Sequence, residues 1–218
     1  MTTQAAVSAH VSKGFVHVAA NLGAACQQYR PSGTGNPLAT QFGTVMVAID
    51  TTAALTFKSP RQRAKPESWY AACDLTLIRA GDYLVTPTSD TYFVGAVDAF
   101  APARLINCNA VVSIWRPGAM TPGPGFYGGD VATAGENLLA TTWPCAMVQG
   151  TKGERGEVGL PGDTRLPWFS VLLPTIPGVQ LRHGDVLVDT QVIPARYTVS
   201  SIELTPLGWR LSAALATP

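Results

Sequence analysis

Charge is what this sequence has least of. Only 13% of its 218 residues are Asp, Glu, Lys or Arg, and 15 cations against 14 anions leave a net charge of +1. A basic footprint for nucleic acid, or a polybasic patch for a membrane surface, is therefore missing at the level of the chain. Also missing is any apolar run of the ~18 residues that span a bilayer, and the first residues lack the basic start and apolar core of a secretion signal. These absences lead us to expect a protein made and kept in a cytoplasm, with no membrane partner. The four cysteines, Cys26, Cys73, Cys108 and Cys145, stand far apart, with no Cys-x-x-Cys and no paired histidine. That spacing argues against a zinc site. Buried thiols are expected, with disulfides, including bonds between subunits, as the alternative.

Signatures of chemistry are absent too. There is no Gly-x-Ser-x-Gly elbow, no phosphate-loop lysine motif, no Gly-x-Gly-x-x-Gly opening a helix and no His-Glu-x-x-His. His10 and His17 lie seven positions apart, but nothing nearby completes a metal or catalytic set. An active site needs several titratable or nucleophilic groups together. We therefore expect no enzyme, no catalytic residue, no cofactor and no metal, with a small β-barrel enzyme as the weakest alternative.

What is present is a turn that occurs twice. Ile78-Arg79-Ala80-Gly81-Asp82-Tyr83-Leu84-Val85 is matched by Leu181-Arg182-His183-Gly184-Asp185-Val186-Leu187-Val188. Each copy runs through a short apolar strand and a polar tip into a strand that begins with tyrosine, Tyr92 or Tyr197. Gly to Tyr is 11 positions in the first copy and 13 in the second, so the extra length lies in the tip that holds Pro194. Tips are where insertions disturb least. Asp82 and Asp185 are expected to serve their own turns by bonding backbone, as aspartate after glycine does, rather than to form a catalytic pair.

Along the chain, Val7, Val11, Phe15, Val18, Leu22 and Cys26 recur at spacings of 4, 4, 3, 4 and 4. That stripe predicts a helix over about Gln4 to Tyr29, covering its own sheet or packing on a neighbouring subunit. Strands are expected at Thr44 to Asp50, Trp69 to Leu77, Tyr83 to Val85, Thr91 to Val97, Ala110 to Trp115, Trp143 to Gln149, Trp168 to Leu173 and Gly208 to Ala213. A turn is expected at Ala101 to Pro102, and a short helix around Glu136 to Ala140. Lys58, Arg61, Arg63 and Lys65 mark a basic loop, either solvated or facing an acidic partner or phosphate backbone.

The class expected is mainly β: two related small β-barrel or sandwich units with an N-terminal α-helix and long loops. The helix and first unit take residues 1–117, a Pro/Gly-rich linker takes 118–142, and the second unit takes 143–218. Inside the second unit, Gly150, Gly153, Gly156, Gly159 and Gly162 place glycine at every third position over 150–162. Four such triplets are too few for a collagen triple helix, so this loop is expected to be a contact arm. Low charge with 46% hydrophobic residues and a mean hydropathy of +0.16 also suggests surface covered by other subunits.

The pattern Leu181-Arg182-x-Gly184-Asp185-x-Leu187-Val188, a polar tip, Tyr197-x-Val199, then Leu207-Gly208-Trp209-Arg210-Leu211 resembles the small β-barrel proteins in the neck of tailed bacteriophages, the head-tail connector, head-closure or collar group. The opening helix, Tyr29-Arg30-Pro31 and Gly81-Asp82-Tyr83-Leu84-Val85 resemble phage virion-assembly proteins as well. The likeness covers most of the chain through short structural motifs and carries no catalytic residue. It implies a virion structural subunit, assembled in the host bacterial cytoplasm and repeated as a ring, hexamer or dodecamer, between the portal or adaptor and the tail proteins. Viral DNA would pass through that ring. Alternatives are a tail terminator, or a tail-fibre or other attachment module that uses the 150–162 arm.

Overall fold

The computed structural model describes residues 4–50, 68–118, 120–122, 130–132, 135–150 and 167–216. The chain is mainly β, with one N-terminal helix. Helix α1 spans Gln4–Leu22 and stops seven residues short of Tyr29. At Gly23 the amide bonds Ala19 O at 2.9 Å, and a side chain there would meet the Ala19 and Val47 backbones. The missing Cβ lets the chain turn straight into β1 (Ala24–Tyr29) beside β2 (Gln41–Asp50), with Ala24 opposite Val47. Cys26, expected on the helical stripe, is instead a core residue of β1.

The first barrel is completed by β3 (Ser68–Cys73), β4 (Tyr83–Val85), β5 (Thr91–Asp98) and β6 (Ala101–Asn107). It closes in the order β1-β2-β3-β6-β5-β4. Strand β6 replaces the turn expected at Ala101 to Pro102. The turn sits just before it, where the Asp98 carboxylate accepts the Phe100 amide at 2.7 Å, and Pro102 is tolerated near a strand start. The second barrel is built from β7 (Ala110–Arg116), β10 (Asn137–Gln149), β11 (Trp168–Leu173), β12 (Val186–Asp189), β13 (Arg196–Thr205) and β14 (Gly208–Leu215). A small hairpin, β8 (Met120–Pro122) with β9 (Asp130–Ala132), lies between β7 and β10 in sequence.

The second barrel closes as β7-β10-β11-β14-β13-β12. Counted in chain order, both barrels share one cyclic arrangement: first, second, third, sixth, fifth, fourth. Closure leaves neither barrel with an open edge. It also moves the boundary expected at residue 117. Strand β7 pairs with β10 and β12, because burying Val112 and Ile114 takes place inside the second barrel, and the crossing between barrels falls at Cys108-Asn109. The end of the expected linker, including the helix proposed near Glu136 to Ala140, is the start of β10.

Alternation along the strands decides what each barrel hides. Leu84, Val94 and Leu105 fill the first interior with Cys26, Val45, Val47 and Cys73. Their neighbours Tyr83, Phe93 and Ile106 face the other way and join the core of the second barrel. Tyr83 donates its hydroxyl to Pro144 O at 2.7 Å, and its ring meets Trp143 edge-on at a centroid distance of 6.1 Å. The loop after β1 adds Thr34 O, which accepts from Thr141 N at 3.0 Å and from Trp143 Nε1 at 3.2 Å. The barrels therefore share a desolvated junction. Helix α1 packs on β2 and β3, across the first barrel from β4 and β5. It buries Ala19 but leaves Val7, Val16, Val18 and Leu22 of its apolar residues exposed. No helix among the described residues is long and apolar enough to cross a membrane.

Candidate functional site

The doubled turn is built the same way in both barrels. Gly81 and Gly184 adopt φ of +90° and +83°, a region that glycine enters without steric cost. Each following aspartate is then carried inward, to 2% exposure at Asp82 and 1% at Asp185. Asp82 Oδ2 accepts the Arg79 amide at 3.0 Å, and Asp185 Oδ2 accepts the Arg182 amide at 2.8 Å. These bonds are the backbone role expected for the two residues.

A buried carboxylate also needs a counter-charge, and each has an arginine. Arg30 donates Nε to Asp82 Oδ1 at 2.9 Å and Nη2 to Oδ2 at 2.7 Å. Arg116 donates Nε to Asp185 Oδ1 at 2.8 Å and Nη2 to Oδ2 at 2.9 Å. The same Nη2 atoms reach Leu77 O and Gln180 O at 2.9 and 2.8 Å, five residues before each aspartate. The carboxylates, first by hydrogen bonding, raise both guanidinium pKa values. Only Asp82 has an added donor, Gln28 Nε2 at 2.8 Å. These two arginines escaped the sequence reading. The signal was there, as Tyr29-Arg30-Pro31 and Trp115-Arg116-Pro117 are one aromatic-Arg-Pro motif at the end of the first strand of each barrel.

Asp82 and Asp185 thus stand in different barrels with separate partners and form no paired acid. His183 Nδ1 lies 3.1 Å from Ser200 O, on the strand opposite its turn. Among the described residues there is no group of three His, Cys, Asp or Glu that could hold a metal ion. Cys26, Cys73 and Cys145 are buried thiols and Cys108 is half-buried; burial pushes Cys73 and Cys145 up to about 12. None of the three buried thiols reaches a surface where a second chain could bond it. Of the arm, Gly150 closes the loop base: its amide bonds Trp168 O at 2.9 Å, and the Trp168 indole fills the space of its missing side chain. Gly153, Gly156, Gly159 and Gly162 lie outside the described residues, as do Lys58, Arg61, Arg63 and Lys65.

Two concave surfaces among the described residues are large enough to take a partner group. One is a cavity of about 550 Å³ at the junction, lined by Leu38, Cys108, Met147, Phe169, Asp189 and Tyr197 among others. Its carboxylate is committed to the β12–β13 hairpin: Asp189 Oδ1 accepts from Ala195 N at 2.9 Å, and Oδ2 accepts from Tyr197 OH at 3.3 Å. Burial, then Asp189, raises the Tyr197 pKa. The other is a groove of about 870 Å³ between α1, the 74–76 loop and the β5–β6 turn. The doubled turns are thus architectural, and the groove beside α1 presents Ala9, Val16, Ala20, Leu75, Val97 and Ala99 for contacts. No known protein family, curated protein or solved structure matches the chain.

Proposed function

We propose that the chain is a non-enzymatic virion structural protein, a subunit of a ring in the head-to-tail neck of a tailed phage. The observation that carries this reading is the spending of the buried polar side chains. Gln28, Asp82, Asp185 and Asp189 are the buried polar residues among those described, and each is bound into a turn or hairpin. Asp189 alone of these four lines a cavity, and both of its oxygens are committed to the β12–β13 hairpin, so no convergent set of free polar groups of the kind an active site requires is formed by them. A rigid pair of barrels with exposed apolar side chains suits repeated protein contacts instead. We also infer that the two barrels descend from one duplicated unit. The shared strand order and the matching Arg–Asp clamps support that inference.

Particles assembled with and without the protein test the reading. Loss of the protein is expected to give heads that leak DNA or lack tails, with the purified chain forming a closed ring or cosedimenting with virions. A stable monomer absent from purified virions overturns it. Loss of host adsorption with normal head-tail joining favours a tail attachment module.

A further inference from the structure

We propose that the β12–β13 hairpin tip of one copy seats in the groove beside α1 of a second copy, joining chains head to tail. The inference rests on the ring-subunit reading and names the contact that builds the ring. Val192 and Ile193 at the tip are 102% and 84% exposed. The duplicated architecture supplies its own control. In the first barrel the corresponding hairpin ends in a short polar turn, where Thr86 N bonds Asp90 O at 3.0 Å and Ser89 N bonds Thr86 O at 2.9 Å. The second is two residues longer between Gly and Tyr, and its tip carries Val192-Ile193-Pro194. Asp189 already holds that hairpin together, so the two aliphatic side chains contribute nothing to its closure.

The groove offers what the tip lacks. Its walls include Ala9, Val16, Ala20, Leu75, Val97 and Ala99, and Leu77 and Phe100, next to its lining residues in sequence, are exposed. Among the described residues only the first barrel carries a helix, so the groove and the tip belong to different barrels. They also lie at opposite ends of β5: the groove takes Val97 and Ala99, whereas Thr190 and Gln191 of the tip line the junction cavity with Thr91, six residues before Val97 and roughly 20 Å away at strand rise. A tip that fills the groove therefore comes from another copy, and a contact between unlike surfaces propagates into a ring when the rotation closes.

Charge allows a second copy as the occupant. Residues 190–195 carry no charge, and Lys13 on the groove wall can keep its ammonium in water over an apolar stem. Each exposed apolar side chain offers roughly 100 Å²; Val192 and Ile193 at the tip with Leu77 and Phe100 at the rim bury about 400 Å² by that measure, a third of the ~1,200 Å² at the low end of stable pairs. One contact is weak alone, and a closed ring, in which every copy makes two, holds it.

Sedimentation of the full chain over a concentration series tests the contact. Wild type is expected to pass from monomer to one large species with few dimers between. Val192→Ser with Ile193→Ser, and separately Ala9→Trp, are expected to stay monomeric with unchanged circular dichroism and Tm. Ile193→Cys combined with Ala9→Cys should form a disulfide-linked ladder on mild oxidation that neither single variant gives. Rings that survive both variants, with no ladder, overturn the contact and leave the ring reading standing. A wild type that is monomeric at every concentration and missing from particles overturns both.

Discussion

At Asp185 three donors converge on one carboxylate with almost no access to water: the Arg182 amide and two nitrogens of Arg116. Asp185→Ala strands them, and although Arg116 at 27% side-chain exposure can turn partly to solvent, we expect a loss of about 3 kcal/mol. Urea unfolding should show it as a lower midpoint at constant slope. The pair Arg196–Glu136, with side chains 45% and 37% exposed, makes the opposite case. Arg196→Ala is expected to cost less than about 1 kcal/mol by the same measurement. The thiols give a pH dependence. Burial, with smaller contributions from Asp74 and Cys26 at Cys73, pushes Cys73 and Cys145 from 9.0 to about 12. The native state then keeps protons that the unfolded state releases, so stability is full below pH 9 and falls as pH rises from there toward 12. Denaturation midpoints at pH 7.5, 9 and 10.5, taken as trial values of about that spacing, should be flat over the first interval and drop over the second.

For the elements, the decisive residue is Gly23, where helix becomes strand with no loop. Gly23→Ala favours the helix by about 1 kcal/mol in isolation, but its methyl would strike backbone at Ala19 and Val47. Backbone yields less readily than a side chain, so the clash wins. We expect a net destabilisation of about 2 kcal/mol, read as a lower Tm in thermal unfolding. This also explains why the apolar period from Val7 to Cys26 misleads: periodicity reports which residues are apolar, and the turn at Gly23 hands the last of them to a strand. The Gly-Asp turns were legible because a left-handed glycine and a self-bonding aspartate are local devices. Their arginines, 52 and 69 residues away, enter only when the barrels close. Strand β6 was overlooked for a similar reason, since Pro102 signals a break unless the pairing around it is known.

On the scale of the whole molecule, Tyr83 couples the barrels. Its ring is buried against Phe93 and Trp143, and it belongs in sequence to the first barrel but in packing to the core of the second. Removing only the hydroxyl, Tyr83→Phe, leaves Pro144 O without its donor and should cost about 1 kcal/mol. Tyr83→Ala opens the junction and is expected to split calorimetric unfolding into two transitions, against a single one expected for the wild type. Persistence of a single transition in Tyr83→Ala would show that the remaining junction contacts suffice.

By itself the sequence determined the class of this protein, a helix followed by two β-units each pinned by a Gly-Asp turn, because alternation, glycine placement and turn chemistry act over a few residues. Tertiary structure alone decided the rest. It assigned β7 to the second barrel, brought to each aspartate the arginine at the end of the first strand of its own barrel, and turned Tyr83, Phe93 and Ile106 into a shared core. Those outcomes depend on which strand closes which barrel, and closure is a long-range event that no local pattern encodes. The doubled turn thereby becomes scaffold, and the tip at Val192 and Ile193 stands out as apolar surface left exposed on a hairpin that Asp189 already closes.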